Sequence, residues 1–307
     1  MVRVPKFGAE NLVVAEADDP RPAGGEVLIA TDAATINPSD AGIVSGASAS
    51  RFPPGLEPPY TPGWDLAGRV TAVGDGVNPS LIGERVVGFS VWFVTGHGTQ
   101  ASVVALPATD VAVAPEGLAP AQLTTVGLNG LTAWRCLDDL NLARGETLAV
   151  TGAAGAVGGF ALDLAVAKGL DVAAIVRERQ RPGVLARGAV HAISPGSRGT
   201  GAAIREVIPG GVDALLDTAG VGAPALGAIR DGGRYASVTV VPGTERGITV
   251  TRVYARMDPV ALPALVQMAS DGRLHTPVAR QYDVSEAQAA YLEFASGPHR
   301  GRIVLTF

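Results

Sequence analysis

Three glycines at a regular spacing lie just after a short apolar run near the middle of the chain. Residues 148–150 form the run, and the next segment is Thr151-Gly152-Ala153-Ala154-Gly155-Ala156-Val157-Gly158. Glycines at these places allow a tight turn, close approach of backbone N–H groups to a phosphate, and close packing of a helix on a strand. Because a helix N-terminus attracts anions, the pattern predicts that residues 152–157 bind the pyrophosphate of a dinucleotide. A glycine-rich loop without a ligand is the alternative.

Arginines cluster where the next apolar run ends. Residues 171–176 predict a strand, and it runs into Arg177-Glu178-Arg179-Gln180-Arg181. In dinucleotide-binding folds an acidic residue at this tip binds a free ribose 2′-hydroxyl, whereas arginine accommodates a 2′-phosphate. Arg177 and Arg181 therefore predict NADPH as the cofactor. A contact between Glu178 and the ribose is one alternative, and a solvated loop is another.

Alternating strands and helices must position these residues. From about residue 120, continuous apolar runs indicate strands buried on both faces, at residues 147–150, 171–176, 212–217 and 235–240. An amphipathic helix pattern lies between the first two runs and ends at Gly169. Strand, helix and strand in this order predict a right-handed βαβ unit in a doubly wound α/β fold with a parallel sheet.

The carboxyl ends of parallel strands supply further candidates, because doubly wound folds bind their ligands there. Thr218 and Ala219 come directly after the run at 212–217. Val238, Thr239 and Val240 end the run at 235–240. We expect both segments to lie at the cofactor site.

The first third of the chain has a β-rich pattern. Short apolar or alternating runs bounded by Gly, Pro, Asp and Asn occur at residues 13–15, 26–30, 67–74 and 84–89. The last seven residues, 301–307, return to strand character. The pattern predicts a compact, barrel-like antiparallel unit that the C-terminal strand closes.

Composition and charge narrow the possible functions. The 307 residues suit two domains at about 150 residues each, and 47% apolar content suits hydrophobic cores. Lys+Arg 24 against Asp+Glu 29 gives 24 − 29 = −5, which argues against a nucleic-acid partner. The single cysteine, Cys136, has no partner for an internal disulfide, which predicts a reducing, cytoplasmic location. We expect no export signal and no membrane span, since no apolar run has the required length.

Several segments together resemble a known superfamily. They are Ile36-Asn37-Pro38-Ser39-Asp40, Pro59-Tyr60-Thr61-Pro62-Gly63-Trp64-Asp65-Leu66-Ala67-Gly68, Gly83-Glu84-Arg85-Val86, Gly130-Leu131-Thr132-Ala133, the turn at Gly152 and the closing residues 297–305. The chain resembles the medium-chain dehydrogenase/reductase superfamily, and within it the zinc-free quinone oxidoreductase (zeta-crystallin-like) branch. The resemblance implies a GroES-like catalytic domain of residues 1–117 and 276–307, a Rossmann domain of residues 118–275, an active site in the cleft between them, and a homodimer.

The resemblance also bears on zinc. Zinc-dependent relatives carry a cysteine and a histidine where this chain has Asn37 and Trp64, and neither of these is a zinc ligand. We therefore expect no metal. Hydride transfer to a plain ketone creates an alkoxide that needs a Lewis acid or a positioned proton donor. A quinone or an enone instead gives a delocalised anion, so a zinc-free site favours conjugated acceptors.

The superfamily pattern implies roles for four single residues and one segment of three residues. Asn37 contacts the nicotinamide ribose or the substrate carbonyl, Tyr60 is a candidate proton donor, and Thr132, the backbone of residues 238–240 and Arg302 approach the cofactor. The four single residues also have structural alternatives. These are a turn at Asn37, packing at Tyr60, a helix interior at Thr132 and a strand-edge charge at Arg302. Asp40 is expected to anchor its own loop.

These observations predict a zinc-independent, NADPH-dependent oxidoreductase that transfers hydride to a quinone or an α,β-unsaturated carbonyl. An enoyl-thioester reductase or polyketide tailoring enzyme is the second hypothesis, and a non-catalytic NADPH-binding protein is the third. Many relatives carry a tyrosine eleven residues beyond the asparagine, and here that place holds Ser48, within the small-residue loop 45–50. This departure weakens the enoyl-thioester hypothesis.

Overall fold

The computed structural model describes residues 1–197, 199–297, 299 and 301–307. Pro298 and Arg300, in the closing segment used for the resemblance, lie outside the described residues. The strands are β1 (Val2–Arg3), β2 (Val13–Val14), β3 (Glu26–Ile36), β4 (Asp65–Val73), β5 (Arg85–Phe89), β6 (Val103–Pro107), β7 (Val111–Val113), β8 (Thr147–Thr151), β9 (Asp171–Ile175), β10 (His191–Ile193), β11 (Val212–Asp217), β12 (Ile229–Ser237), β13 (Thr249–Arg252), β14 (Val278–Asp283) and β15 (Arg302–Thr306).

The α-helices are α1 (Pro38–Val44), α2 (Trp92–Thr95), α3 (Pro120–Leu123), α4 (Gly127–Leu140), α5 (Ala156–Ala167), α6 (Arg181–Ala186), α7 (Thr200–Val207), α8 (Ala261–Ser270) and α9 (Ala287–Ala295). In the part of the chain that the structure describes, none of them is both long and apolar enough to cross a membrane.

The chain divides into two compact units. One contains residues 1–128 and 257–307, and the other contains residues 129–256. The superfamily resemblance implies boundaries elsewhere, after residue 117 and after residue 275. The difference arises because α3 packs on β3 and β4, and α8 packs on β7, so both helices join the β-rich unit.

The β-rich unit is built around the long strand β3. Its sheet runs in the order β14-β15-β3-β4-β5-β7, and β6 also pairs with β3. β15 lies antiparallel to β3, with Ile303 opposite Ile36, so the C-terminal strand lies beside the residue that precedes Asn37. The core is formed by buried aliphatic side chains from β3, β4, β5 and β6, among them Val27, Ile29, Leu66, Val86 and Leu106.

The second unit contains a parallel sheet in the order β10-β9-β8-β11-β12-β13. This is the doubly wound α/β arrangement, and the predicted fold class is confirmed. The strand order reverses between β8 and β11, where Thr151 lies opposite Asp217. Ligands bind doubly wound sheets at such a switch point, next to the carboxyl ends of the strands. The predicted glycine turn lies directly after β8, and the residues Thr218 and Ala219 lie directly after β11.

Candidate functional site

The glycine turn links β8 to α5. β8 ends at Thr151, and Gly155 is the N-cap of α5. Gly152 has φ +63°, a conformation that favours glycine, and its carbonyl accepts a hydrogen bond from Gly155 N at 2.7 Å. Ala153 is buried, whereas Ala154 and Gly155 are exposed. The turn therefore presents backbone and the start of a helix, the arrangement that suits a phosphate.

Gly158 allows α5 to lie close against this turn. A Cβ atom at Gly158 would lie 2.3 Å from the carbonyl oxygen of Gly152 and 2.9 Å from Oγ1 of Thr218. Both distances are far inside van der Waals contact, so a larger residue would push the helix away. The third glycine thus serves helix packing, as its spacing predicts.

The loops after β11 and β12 lie beside the glycine turn. Thr218 Oγ1 donates to the carbonyl oxygen of Thr151 at 2.6 Å, and Ala219 N donates to Thr151 Oγ1 at 3.2 Å. Ser237 Oγ donates to the carbonyl oxygen of Asp217, and Thr239 N donates to Ser237 Oγ. The structure therefore brings together the predicted residues at 152–157, 218–219 and 238–240.

The arginine-rich segment continues from β9 as a short 3₁₀ turn, Glu178–Gln180, and then α6. Arg181 donates to Glu178 at 2.8 Å, and Ser194 Oγ donates to the other carboxylate oxygen at 3.1 Å. These hydrogen bonds lower the pKa of Glu178. Arg177 is exposed, and no ion pair to it occurs within the described ranges. Of the two predicted arginines, Arg181 is thus paired with Glu178, whereas Arg177 has no such pair in these residues.

Asn37 lies in the β-rich unit as the N-cap of α1, and it is 1% exposed. Its side-chain nitrogen donates to Oδ1 of Asp65 at 3.4 Å, and its backbone N–H donates to Oδ2 of Asp40 at 2.9 Å. Asp40 also accepts from Gly63 N at 3.0 Å and from Trp92 Nε1 at 2.9 Å. Asp40 thus anchors its loop, which is the role expected for it.

Asp40 and Asp65 form a buried pair of carboxyl groups, and neither has an ion pair within the described residues. Burial raises the pKa of Asp40 to about 7, although hydrogen bonds from Asn37, Gly63 and Trp92 oppose the rise. Burial, reinforced by the nearby charge of Asp40, raises the pKa of Asp65 to about 8 against a hydrogen bond from Leu128 N. The pair therefore titrates near neutral pH.

Tyr60 is buried with its hydroxyl group donating to the carbonyl oxygen of Leu56 at 3.1 Å. Its ring stacks on Phe52 with centroids 4.5 Å apart. Burial and the charge of Glu57 raise the pKa of Tyr60. The structure thus gives Tyr60 the packing and capping contacts that the sequence left open beside proton donation.

Two tryptophans of the β-rich unit, Trp64 and Trp92, differ in their contacts. Trp92 is fully buried and donates to Asp40. Trp64 packs on Phe89 and Phe93, with centroids 6.0 and 5.3 Å away, and its buried Nε1 finds no hydrogen-bond partner in the part of the chain described. Trp64 is thus the better candidate for a pocket wall.

Two further predicted residues, Thr132 and Arg302, belong to different units. Thr132 is buried on α4 in one unit, and Arg302 is buried at the start of β15 in the other. In the loop 45–50, Ser48 N donates to the carbonyl oxygen of Gly42 at 2.9 Å. This loop therefore folds back onto α1.

Sequence patterns did not single out Asp65, Asp217 or Tyr235 as site residues, although all three are buried in hydrogen-bond networks. One signal was present for Asp217. It is a carboxylate that ends a largely apolar strand, a place where burial needs dedicated donors. Asp65 likewise comes directly after the Pro62-Gly63-Trp64 segment and begins β4.

The donor set does not suit a zinc ion. Asn37 is engaged with two carboxyl groups, Trp64 offers no metal ligand, and Cys136 is buried with its pKa raised by burial to about 12. Among the residues that the structure describes, no group of three or more His, Cys, Asp or Glu side chains could hold a metal ion.

Two sequence families match successive parts of the chain. The family described as the alcohol dehydrogenase GroES-like domain matches residues 23–116, and the one described as zinc-binding dehydrogenase matches residues 187–305. An alcohol dehydrogenase superfamily protein from Novosphingobium aromaticivorans has a similar structure, with a TM-score of 0.87, 26% identity and 100% coverage of both chains.

The chain belongs to the medium-chain dehydrogenase/reductase superfamily. Within the superfamily it is similar to the quinone oxidoreductase of Rattus norvegicus, at 36% identity over 174 residues, 56% of this chain and 50% of the rat protein. It is also similar to a mycocerosic acid synthase-like polyketide synthase of Mycobacterium tuberculosis, at 28% identity over 320 residues. That match covers 96% of this chain but only 15% of the synthase, so the chain spans half or less of these relatives.

Proposed function

We propose that this chain is a zinc-independent, NADPH-dependent oxidoreductase that transfers hydride to a quinone or an α,β-unsaturated carbonyl. The observation that carries the proposal is the glycine turn at the switch point of the parallel sheet, with Gly158 fitted against Gly152. The similarity to quinone oxidoreductases supports the choice of acceptor.

The chain's own residues hold the cofactor in this proposal. The backbone of residues 152–157 and the start of α5 hold the pyrophosphate, and the segments at 218–219 and 238–240 line the neighbouring strand ends. Arg177 binds the 2′-phosphate, while the Glu178 carboxylate accepts hydrogen bonds from Arg181 and Ser194. NADPH supplies the hydride when bound.

The acceptor in this proposal is a conjugated carbonyl. Asn37 stands where zinc-dependent relatives carry a cysteine, and its amide nitrogen donates to Asp65, which fixes the orientation of the amide. In this proposal the Asn37 amide contacts an oxygen of the substrate. Because an enone or quinone gives a delocalised anion, its reduction requires neither a metal nor a dedicated acid such as Tyr60.

The test monitors NADPH absorbance with a panel of quinones and α,β-unsaturated ketones. We expect turnover with members of at least one class, and the rate should persist after dialysis against a chelator. Activity that disappears with the chelator and returns with Zn²⁺ would contradict zinc independence. NADPH binding without consumption on every acceptor would favour the non-catalytic alternative.

A second candidate is an enoyl-thioester reductase, because the polyketide synthase match extends over 96% of this chain. Assays with enoyl-CoA and enoyl-carrier-protein thioesters separate the two candidates. A thioester preference over quinones of about a hundredfold or more in kcat/KM, about 2.7 kcal/mol, would favour the second candidate.

We further propose that the protein is a cytoplasmic homodimer. The oligomeric state rests on the superfamily resemblance, and the location rests on the single cysteine. Light scattering coupled to size-exclusion chromatography gives the mass in solution. A mass equal to one 31.1 kDa chain would reject the dimer.

A further inference from the structure

Four hydrogen-bond donors converge on the buried carboxylate of Asp217 at the end of β11. Oδ1 accepts from Thr151 Oγ1 at 2.6 Å and from Ala219 N at 3.2 Å. Oδ2 accepts from Gly222 N and from the Tyr235 hydroxyl, both at 2.8 Å. Burial alone raises the pKa of Asp217, but these hydrogen bonds hold it below the usual value. Asp217 is therefore an ionised group stabilised by oriented dipoles.

Thr151 extends this network to the glycine turn. Its hydroxyl donates to Asp217 and accepts from the backbone N–H groups of Thr218 and Ala219, at 3.0 and 3.2 Å. In return, the Thr218 hydroxyl donates to the carbonyl oxygen of Thr151 at 2.6 Å. Because Thr151 directly precedes Gly152, these reciprocal bonds fix the loop after β11 against the turn.

The end of β12 joins the same network. Tyr235, on β12, donates to the Asp217 carboxylate, and Ser237 Oγ donates to the Asp217 carbonyl oxygen at 3.2 Å. Ser237 Oγ also accepts from Thr239 N at 3.1 Å. One residue thus connects three strand ends, and each of these ends carries a segment predicted to meet the cofactor.

We propose that Asp217 is a positioning residue that holds the glycine turn, the loop 218–222 and the segment 238–240 in one fixed arrangement for NADPH. The proposal rests on the proposed function. The donors to Asp217 are groups of the protein itself. Its charge therefore orients these groups and does not bind the anionic cofactor. Fixing the three segments in advance lowers the cost of ordering them when the pyrophosphate and nicotinamide ends of NADPH bind.

The test compares Asp217→Asn, Thr151→Val and Thr151→Ser. Asparagine offers one acceptor oxygen to donors that now share two, valine removes the relaying hydroxyl, and serine keeps it. Dissociation constants are measured by titration for NADPH and for adenosine 2′-monophosphate, which has the 2′-phosphate but no pyrophosphate and no nicotinamide. Circular dichroism confirms that each variant is folded at the temperature of the titrations.

We expect Asp217→Asn and Thr151→Val to weaken NADPH binding about tenfold, the effect of one lost hydrogen bond to a charged group. Binding of adenosine 2′-monophosphate should change less than about twofold, and Thr151→Ser should match the wild type for both ligands. If Asp217→Asn does not fold, the valine and serine pair decides.

Failure of the proposed function and failure of the positioning role give different results. A wild-type protein that does not bind NADPH refutes the proposed function. A wild type that binds NADPH while Thr151→Val binds it equally well overturns the positioning role and leaves the function intact. Equal weakening of both ligands also overturns it, because the effect would then not be confined to the three segments.

Discussion

Arg177 and Arg179 are exposed arginines two positions apart, with the same charge and different places in the segment. Arg177 lies just beyond the end of β9 and Val176, and its backbone N–H donates to Gln180 Oε1 at 3.1 Å. Arg179 lies inside the adjoining 3₁₀ turn. A 2′-phosphate site at the tip of the strand should depend on the first arginine and not on the second.

We predict that Arg177→Asp weakens NADPH binding about tenfold or more, because it replaces a charge-assisted bond with repulsion, and leaves NADH within about twofold. Arg179→Asp makes the same change in net charge and is the matched control. Fluorescence titration with both dinucleotides measures the difference. Equal losses of NADPH and NADH, or equal losses in both variants, would contradict a 2′-phosphate contact.

At the residue level, the sequence predicted Asn37 as a site residue but not its partner. The hydrogen bond from Asn37 to Asp65 joins residues 28 positions apart, and no local period links them. The same holds for Thr151 and Asp217, which are 66 positions apart and become neighbours only when β8 pairs with β11. Partners of this kind depend on strand order, which single motifs do not encode.

At the scale of elements, α5 carries two consecutive glycines in different surroundings. A Cβ at Gly158 would lie 2.3 Å from the Gly152 carbonyl oxygen, whereas a Cβ at Gly159 would meet nothing closer than the Arg187 guanidinium at 3.5 Å. Both positions are helical and buried. Only Gly158 is required by the close contact between the helix and the turn.

We predict that Gly158→Ala destabilises the protein by about 2 kcal/mol through overpacking and weakens NADPH binding by displacing the start of α5. Gly159→Ala should be neutral or should stabilise by up to about 1 kcal/mol, because alanine is the better helix former. Chemical denaturation and NADPH titration of both variants measure the two effects. If the Gly158→Ala protein is as stable as the Gly159→Ala protein and binds NADPH as tightly, the packing described is contradicted.

Apolar runs locate strands better than they fix strand ends: the run at residues 235–240 predicts a strand there, whereas β12 spans Ile229–Ser237 and ends before Val238. β11 was predicted at its observed bounds, residues 212–217. β3 was expected at residues 26–30 but extends to Ile36. Its second half contains Thr31, Asp32 and Thr35, which interrupt the apolar run, and it stays a strand because β15 and β4 pair with it on either side.

At the scale of the whole molecule, the buried Asp40 and Asp65 set a pH dependence of stability. Their pKa values are raised from 3.8 to about 7 and about 8, so between about pH 4 and 8 the folded state binds protons that the unfolded state has lost. Stability therefore falls as pH rises through this window. Carboxyl groups with lowered pKa values, such as Asp217, are ionised in both states above about pH 5 and add no slope there.

We predict a free energy of unfolding that decreases from about pH 5 to about pH 8, with a slope of up to about 1.4 kcal/mol per pH unit for each bound proton. Asp65→Asn should flatten the slope. Asp271→Asn, at an exposed carboxylate whose pKa is lowered by Arg273, should leave it unchanged. Urea denaturation at several pH values measures all three, and stability that rises over the same pH range would refute the assignment.

The buried Cys136 has a practical consequence for spectroscopy. It is the only cysteine in the chain, and burial keeps its thiol protonated and shielded, so thiol-directed dyes will not attach to it. An Arg179→Cys variant, altered at an exposed position, would then carry the single label. A fluorescent label can thus be attached at one engineered site, and dinucleotide binding can be followed, without replacing the native cysteine.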